Sequence, residues 1–159
     1  MQLETKAMMA NKKKIITLCS SASFYRDLLE IEKQLKKAGF QVKIPITAQR
    51  MKRSGNFNVA DYKTWYTNKN DYKKKTKLMN EHFKKVLTAN AILVVNNEKN
   101  GIKGYIGGAV LQEMTLAYLH KKQIFLWNDI ISELSFEEEV RGLYPIIIDR
   151  DITKIRIND

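Results

Sequence analysis

The sequence predicts a single α/β domain built on a doubly wound, five-stranded parallel sheet. Three observations carry this expectation. Short runs that are mostly continuously apolar rather than alternating recur along the chain, as strands covered on both faces require. Stretches of helical period lie between them. The length, 159 residues, suits one domain of ordinary size with chain enough for one proper core.

Lys13 to Cys19, centred on Ile15-Ile16-Thr17-Leu18, reads as the first buried strand. The small polar run Ser20-Ser21-Ala22-Ser23 follows, with Ser23 placed as an N-cap. Phe24, Leu28, Ile31, Leu35 and Ala38 then recur at helical spacing until Gly39 stops the helix as a C′ glycine. Gln41 to Pro45 is the second strand and closes one β-α-β unit. Residues 46–70 break the rhythm. Positions 49–58 are polar and basic and 60–66 are aromatic and polar, predicting an inserted excursion, part loop and part short helix. A helix is expected from about Asp71 to Thr88, with Leu78, His82, Phe83, Val86 and Leu87 on its inner side. Ala91 to Val95 is the third strand, Asn96 to Gly108 a glycine-containing loop, and Val110 to Tyr118 a helix with very apolar neighbours. Gln123 to Trp127, Phe136 to Leu143 and Ile146 to Ile148 give the fourth strand, a short helix and the fifth strand. There is no internal repeat. The domain is expected over 12–159, and the polar residues 1–11, with no apolar signal core behind them, as a disordered leader.

Composition is that of a folded protein, 44% hydrophobic and 9% aromatic, which sets aside disordered, collagen-like and mucin-like classes. A lone Cys19 excludes an internal disulfide and a cysteine-based zinc cluster. With His82 and His120 the only histidines, no metal or cofactor is expected. No apolar stretch approaches the roughly 18 residues of a membrane span, so no membrane partner is expected and a reducing, cytoplasmic setting is the default. The net charge is +11 and it is concentrated: residues 36–85 hold 14 Lys or Arg against 3 Asp or Glu, and the rest of the chain is neutral. A local positive field attracts a local anion.

In doubly wound sheets ligands bind beyond the carboxyl ends of strands, where the strand order reverses. In the flavodoxin-like order 2-1-3-4-5 that point lies between the first and third strands, so the loops 20–23 and 96–108 converge on one crevice. Gly101, Gly104, Gly107 and Gly108 end at a helix start, where backbone N–H groups and the helix dipole favour an anion. No Gly-Lys-Ser/Thr follows, and the spacing misses the dinucleotide fingerprint. A flexible loop with close helix packing explains the glycines equally well. Glu113 stands in the second turn of this helix among Leu111, Met114, Leu116 and Ala117. A carboxylate there can serve as nucleophile or base if a partner holds it, although most helical glutamates simply face solvent. An isolated inward His82 is more often a hydrogen-bonded packing residue than a catalyst. Tyr62, Trp65, Tyr66 and Tyr72 interleave with lysines and read as a lid capping the core in preference to a platform for stacked bases. Lys73, Lys74, Lys75 and Lys77 read as a solvated helix face that also suits phosphate.

Gly104-Tyr105-Ile106-Gly107-Gly108 followed by Glu113, Ala117-Tyr118 and a strand entered through Lys121-Lys122 resembles the nucleoside 2-deoxyribosyltransferase-like superfamily, which includes 2-deoxynucleoside-5-phosphate N-hydrolases. The likeness extends to Leu18-Cys19-Ser20-Ser21 and to Asn90 through Asn96, and covers roughly residues 12–150, the 46–70 excursion being typical only of a subgroup. The resemblance implies that Glu113 is the nucleophile that attacks C1 of the sugar and holds it as a covalent ester. It implies that Ser20, Ser21, Tyr105, Gly107, Gly108 and Asn96 bind sugar and phosphate. Where members of the family carry further catalytic carboxylates, this chain aligns His82 and Asn90; His82 could still act as an acid near neutral pH. The lysine-rich segment favours a phosphorylated substrate, since a nucleoside has no charge to meet it.

Three functions stand against one another. The first is cleavage or transfer at the N-glycosidic bond of a nucleoside or nucleotide. The second is a non-catalytic nucleotide-binding or sensor module on the same fold. The third, a nucleic-acid binder using the 36–85 segment, is disfavoured because no recognition motif accompanies the charge. A homodimer or larger homo-oligomer is expected, because relatives complete their sites across subunits.

Overall fold

The computed structural model describes residues 12–131 and 133–159; the leader expected over 1–11 lies outside the described residues. Five strands form an all-parallel sheet in the order β2-β1-β3-β4-β5, as the sequence predicts. They are β1 (Ile15–Ser20), β2 (Gln41–Lys43), β3 (Ala91–Val95), β4 (Gln123–Leu126) and β5 (Ile146–Ile147). The helices are α1 (Tyr25–Lys37), α2 (Ile46–Ser54), α3 (Tyr72–Leu87), α4 (Gly108–Leu119) and α5 (Glu137–Gly142). No helix among the described residues is long and apolar enough to cross a membrane.

The period-2 geometry of a strand sorts each apolar run into two cores. Ala91, Leu93 and Val95 of β3 join Leu28 and Leu35 of α1 and Met51 of α2 on one face. Ile92 and Val94 join Val86 of α3, Met114 and Ala117 of α4 and Val140 of α5 on the other. Both faces are covered, which is why the runs do not alternate with polar residues. Leu35, wholly buried, anchors the last turn of α1, and its truncation to alanine belongs to the class costing about 2–5 kcal/mol.

Gly39 stops α1 as expected. Its φ is +98°, its N–H bonds the Lys36 carbonyl, and the Phe40 N–H bonds that of Leu35, which together make a Schellman ending. Ser23 is not an N-cap. It lies inside a single 3₁₀ turn, Ala22–Phe24, that leads directly into α1, and no side chain caps either helix. The helical part of the excursion comes first: α2 begins at Ile46, immediately after Pro45, and buries Thr47, Ala48 and Met51. Three 3₁₀ turns follow, Val59–Asp61, Thr64–Tyr66 and Lys69–Asp71. On α3, His82 and Val86 are buried and Leu78 and Phe83 partly so, whereas Leu87 is exposed rather than inward.

The register sets Ser20 at the end of β1 beside Val95 at the end of β3. Because β2 and β3 lie on opposite sides of β1, the chain leaves these two strand ends in opposite directions and opens the crevice the sequence pointed to. Gly104 shapes one wall of it. Its φ is +68°, and a Cβ there would run into the Asp129 carbonyl oxygen, so this position of the loop requires glycine.

Candidate active site

A cleft of about 490 Å³ opens at the carboxyl ends of β1 and β3, a volume suited to a small metabolite. Ser20, Ser21, Tyr105, Gly107, Gly108, His82 and Glu113 all line it, so seven of the nine residues the sequence singled out are brought together. Gly107 caps α4, and the first turn of that helix, Gly108 to Val110, presents its free N–H groups to the cleft. Glu113 lies five residues further along, about 7.5 Å at the α-helical rise.

The floor of the cleft is a trio. Cys19 Sγ, from β1, lies 3.5 Å from His82 Nε2 of α3. That nitrogen lies 3.7 Å from Glu113 Oε2 of α4, and the Cys19 thiol lies close enough to favour the charged form of the Glu113 carboxyl. Two atoms of the trio, His82 Nδ1 and Glu113 Oε2, are buried without a hydrogen-bond partner. Burial pushes the Glu113 carboxyl up to about 7, against the pull of the Cys19 thiol and the Lys75 charge. The His82 imidazole goes the other way, down to about 4, by burial and then by repulsion from Lys85, with Leu18's backbone partly opposing. Burial, followed by the charge of Glu113, also raises the Cys19 thiol and the Tyr25 phenol. Near neutral pH the trio therefore holds a neutral imidazole, a neutral thiol and a carboxyl poised between its two states. His82 is thus not an acid near neutral pH; it is a neutral neighbour of the carboxyl. The three ligand atoms lie within 4.8 Å of one another, and thiol, imidazole and carboxylate are donors a zinc ion accepts. Hydrogen bonding among them accounts for the same spacing.

Asn90 and Asn96 have other duties. Asn90 sits at the amino end of β3, away from the cleft, where its Oδ1 accepts the Ile15 N–H at 2.8 Å. Asn96 is wholly buried; its Nδ2 donates to the Asn128 carbonyl at 2.9 Å and its Oδ1 accepts the Asn128 N–H at 2.8 Å. It pins the loop after β3 to the loop after β4 and is not part of the cleft lining.

The aromatic excursion covers the cleft in part. Trp65 is buried, Tyr62 and Tyr66 also line the cleft, and Arg26 stacks 4.4 Å from the Phe57 ring to tie the segment to α1. Tyr72 does not belong to this cover, being exposed and outside the lining. Sequence reasoning missed Cys19, Tyr25, Lys63 and Lys99, and read Lys75 only as one member of a solvated run that also suits phosphate. A signal existed for Lys75: it precedes Leu78, Met79 and His82 by three, four and seven residues, which puts it on their face of α3. Lys99 was hidden in a loop; its Nζ donates to Ser21 Oγ at 3.1 Å and lies 5.0 Å from the Tyr105 ring centroid.

No protein-family model matches the chain, and no curated protein sequence matches it significantly.

Proposed function

We propose that this protein cleaves or exchanges the N-glycosidic bond of a phosphorylated nucleoside, with Glu113 as the nucleophile. The observation that carries the reading is a buried carboxyl with an unpartnered oxygen, opening on a cleft beside a helix N-terminus. The resemblance of the Gly104–Glu113 segment to nucleoside 2-deoxyribosyltransferase-like proteins supports the same choice.

A phosphate at the start of α4 would meet the free N–H groups, with Ser20, Ser21 and Lys99 beside it. The rise from Gly108 to Glu113, about 7.5 Å and shortened by the backward tilt of helical side chains, is of the order that separates a 5′-phosphate from the anomeric carbon. One Glu113 oxygen then attacks that carbon. The C1′–O bond forms as the C1′–N bond breaks, and the base leaves with the bonding pair and takes a proton. Water, or a second base, attacks C1′ in turn and releases the carboxylate. Cys19 and His82 border the carboxyl, and the neutral His82 adds no positive charge that would tie it up as an ion pair. The reading includes the homo-oligomer expected from the sequence, for which exposed Tyr118 and Leu119 at the end of α4 offer apolar surface.

The test is a chromatographic screen of deoxy- and ribonucleoside monophosphates for released base, with Glu113→Gln in parallel. Release by the parent, and a loss of at least a thousandfold in Glu113→Gln with a melting temperature no lower than the parent's, is the expected result. Ligands that raise the melting temperature of the parent but are never consumed would replace this reading with the nucleotide-binding module.

A further inference from the structure

The twelve lysines of the basic segment fall into three classes. Lys37, Lys69, Lys73 and Lys77 are exposed to solvent, and six others have a partner. Lys74 pairs with Asp71, Lys84 with Glu81, and Lys36 and Lys52 with Glu32. Lys85 donates to the Ile44 carbonyl and Lys43 to Thr88. Lys63 and Lys75 are different. Both are half-buried, both line the cleft, and neither has an acid or a hydrogen-bond acceptor among the described residues.

They share one aromatic corner. The Lys75 Nζ lies 5.8 Å from the Trp65 ring centroid and the Lys63 Nζ 5.6 Å from that of Tyr66, and the two rings meet edge-on at 6.2 Å. Partial burial lowers the pKa of both ammonium groups, and Lys63 lowers that of Lys75 further. Two like charges drawn partly out of water toward each other are costly unless a counter-charge arrives. Glu113, the one acid lining the cleft among the described residues, is held near half-protonation and cannot neutralise both. Lys99 is on a different wall, engaged with Ser21 and Tyr105, and the groups acting on Lys75 are Lys63, Glu113 and Tyr66.

We propose that Lys63 and Lys75 form a second anion subsite, separate from the helix N-terminus of α4, so that the cleft takes a nucleotide with two separated anionic groups rather than a single 5′-phosphate. This rests on the nucleotide reading of the cleft and narrows its substrate class. A nucleoside 3′,5′-bisphosphate and a dinucleotide pyrophosphate share the required chemistry, and Trp65 and Tyr66 lie where a base or second nucleoside could stack.

Calorimetric titration of the Glu113→Gln chain tests the inference without requiring turnover. The probes are the 5′-monophosphates of the four common bases, the matching 3′,5′-bisphosphates, and NAD. At least one two-anion ligand should bind tenfold or more tightly than its monophosphate. Lys63→Met/Lys75→Met should erase that gap while leaving monophosphate affinity within about twofold, and Lys63→Arg/Lys75→Arg should keep it. Which ligand shows the gap distinguishes bisphosphate from dinucleotide. The inference is overturned if no two-anion ligand binds more tightly, the case of no binding by any probe included, or if the gap survives the methionine pair. A gap that persists while no base is released would leave the subsite standing and remove only the glycosidase reading.

Discussion

The two ends of the sheet treat their polar side chains in opposite ways. At the amino end, side-chain amides are matched. Asn90 accepts the Ile15 N–H; Gln123 donates to the Arg156 carbonyl at 2.9 Å and accepts the Asn158 N–H at 2.7 Å. At the carboxyl end, among the described residues, Glu113 Oε2 and His82 Nδ1 have no hydrogen-bond partner, and Lys63 and Lys75 line the cleft without an ion-pair partner. A matched amide fixes the course of the chain and needs nothing further. An unmatched buried group costs stability unless something else completes it. Asn96 refines the contrast, for it lies at the carboxyl end and is nonetheless fully matched to Asn128. Satisfaction, more than location, separates the residues that hold the fold from those that await a ligand.

The sharpest way to break this comparison is to titrate activity. With the Glu113 carboxyl at about 7 and the carboxylate as the reacting form, kcat/KM should rise about tenfold per pH unit below 7 and level off above it, a gain of roughly a hundredfold between pH 5 and 8. The pH profile on the substrate found by base release reads this directly. A profile flat through pH 7 would mean that the ionised Glu113 is not the reacting group.

A smaller effect separates the matched residues from the site. Asn96→Ala removes both side-chain bonds to Asn128 and leaves that residue's buried backbone groups unpaired, for an expected cost of about 2–3 kcal/mol. Asn90→Ala, whose bond is at an exposed edge, should cost about 1 kcal/mol or less. Denaturant midpoints measure both. Asn90→Ala should also leave the pH profile of activity in place, and a displaced profile would return Asn90 to the catalytic group.

The strand order, the Gly39 stop and the convergence of two loops were legible because each follows from local pattern: apolar continuity, helical period and a left-handed φ. Glu113 was legible as a lone acid on an apolar helix. What sequence could not give was tertiary pairing. Asn90 and Asn96 carry the same side chain six residues apart, and only the neighbouring strands decide that one caps Ile15 and the other pins Asn128. Cys19 read as a core residue because its sulfur meets His82 and Glu113 only after three elements from distant parts of the chain pack together. Lys75 disappeared into a run of lysines whose other members are solvated, although its spacing to His82 placed it on the inner face.

A pH-dependent difference in stability tests whether His82 and Glu113 oppose one another. His82 falls from an ordinary 6.5 to about 4 on folding, so between those values the unfolded chain binds a proton that the folded chain refuses, and stability is lost as pH falls. Glu113 rises from 4.5 to about 7, so the folded chain holds a proton that the unfolded chain lacks, and stability is lost as pH rises. Between about pH 4.5 and 6.5 the two slopes have opposite signs and largely cancel. Glu113→Gln removes one of them. Its stability relative to the parent should therefore grow as pH is raised from 4.5 to 7, by about 1–3 kcal/mol once the magnitude is discounted for the coupling of the two groups. Urea midpoints at pH 4.5, 5.5, 6.5 and 7.5 measure the difference, and the exposed acids that titrate in the same range cancel between the two chains. Parallel curves would show that the Glu113 carboxyl is paired after all, which would remove the basis for treating the carboxyl end of the sheet as the unsatisfied one.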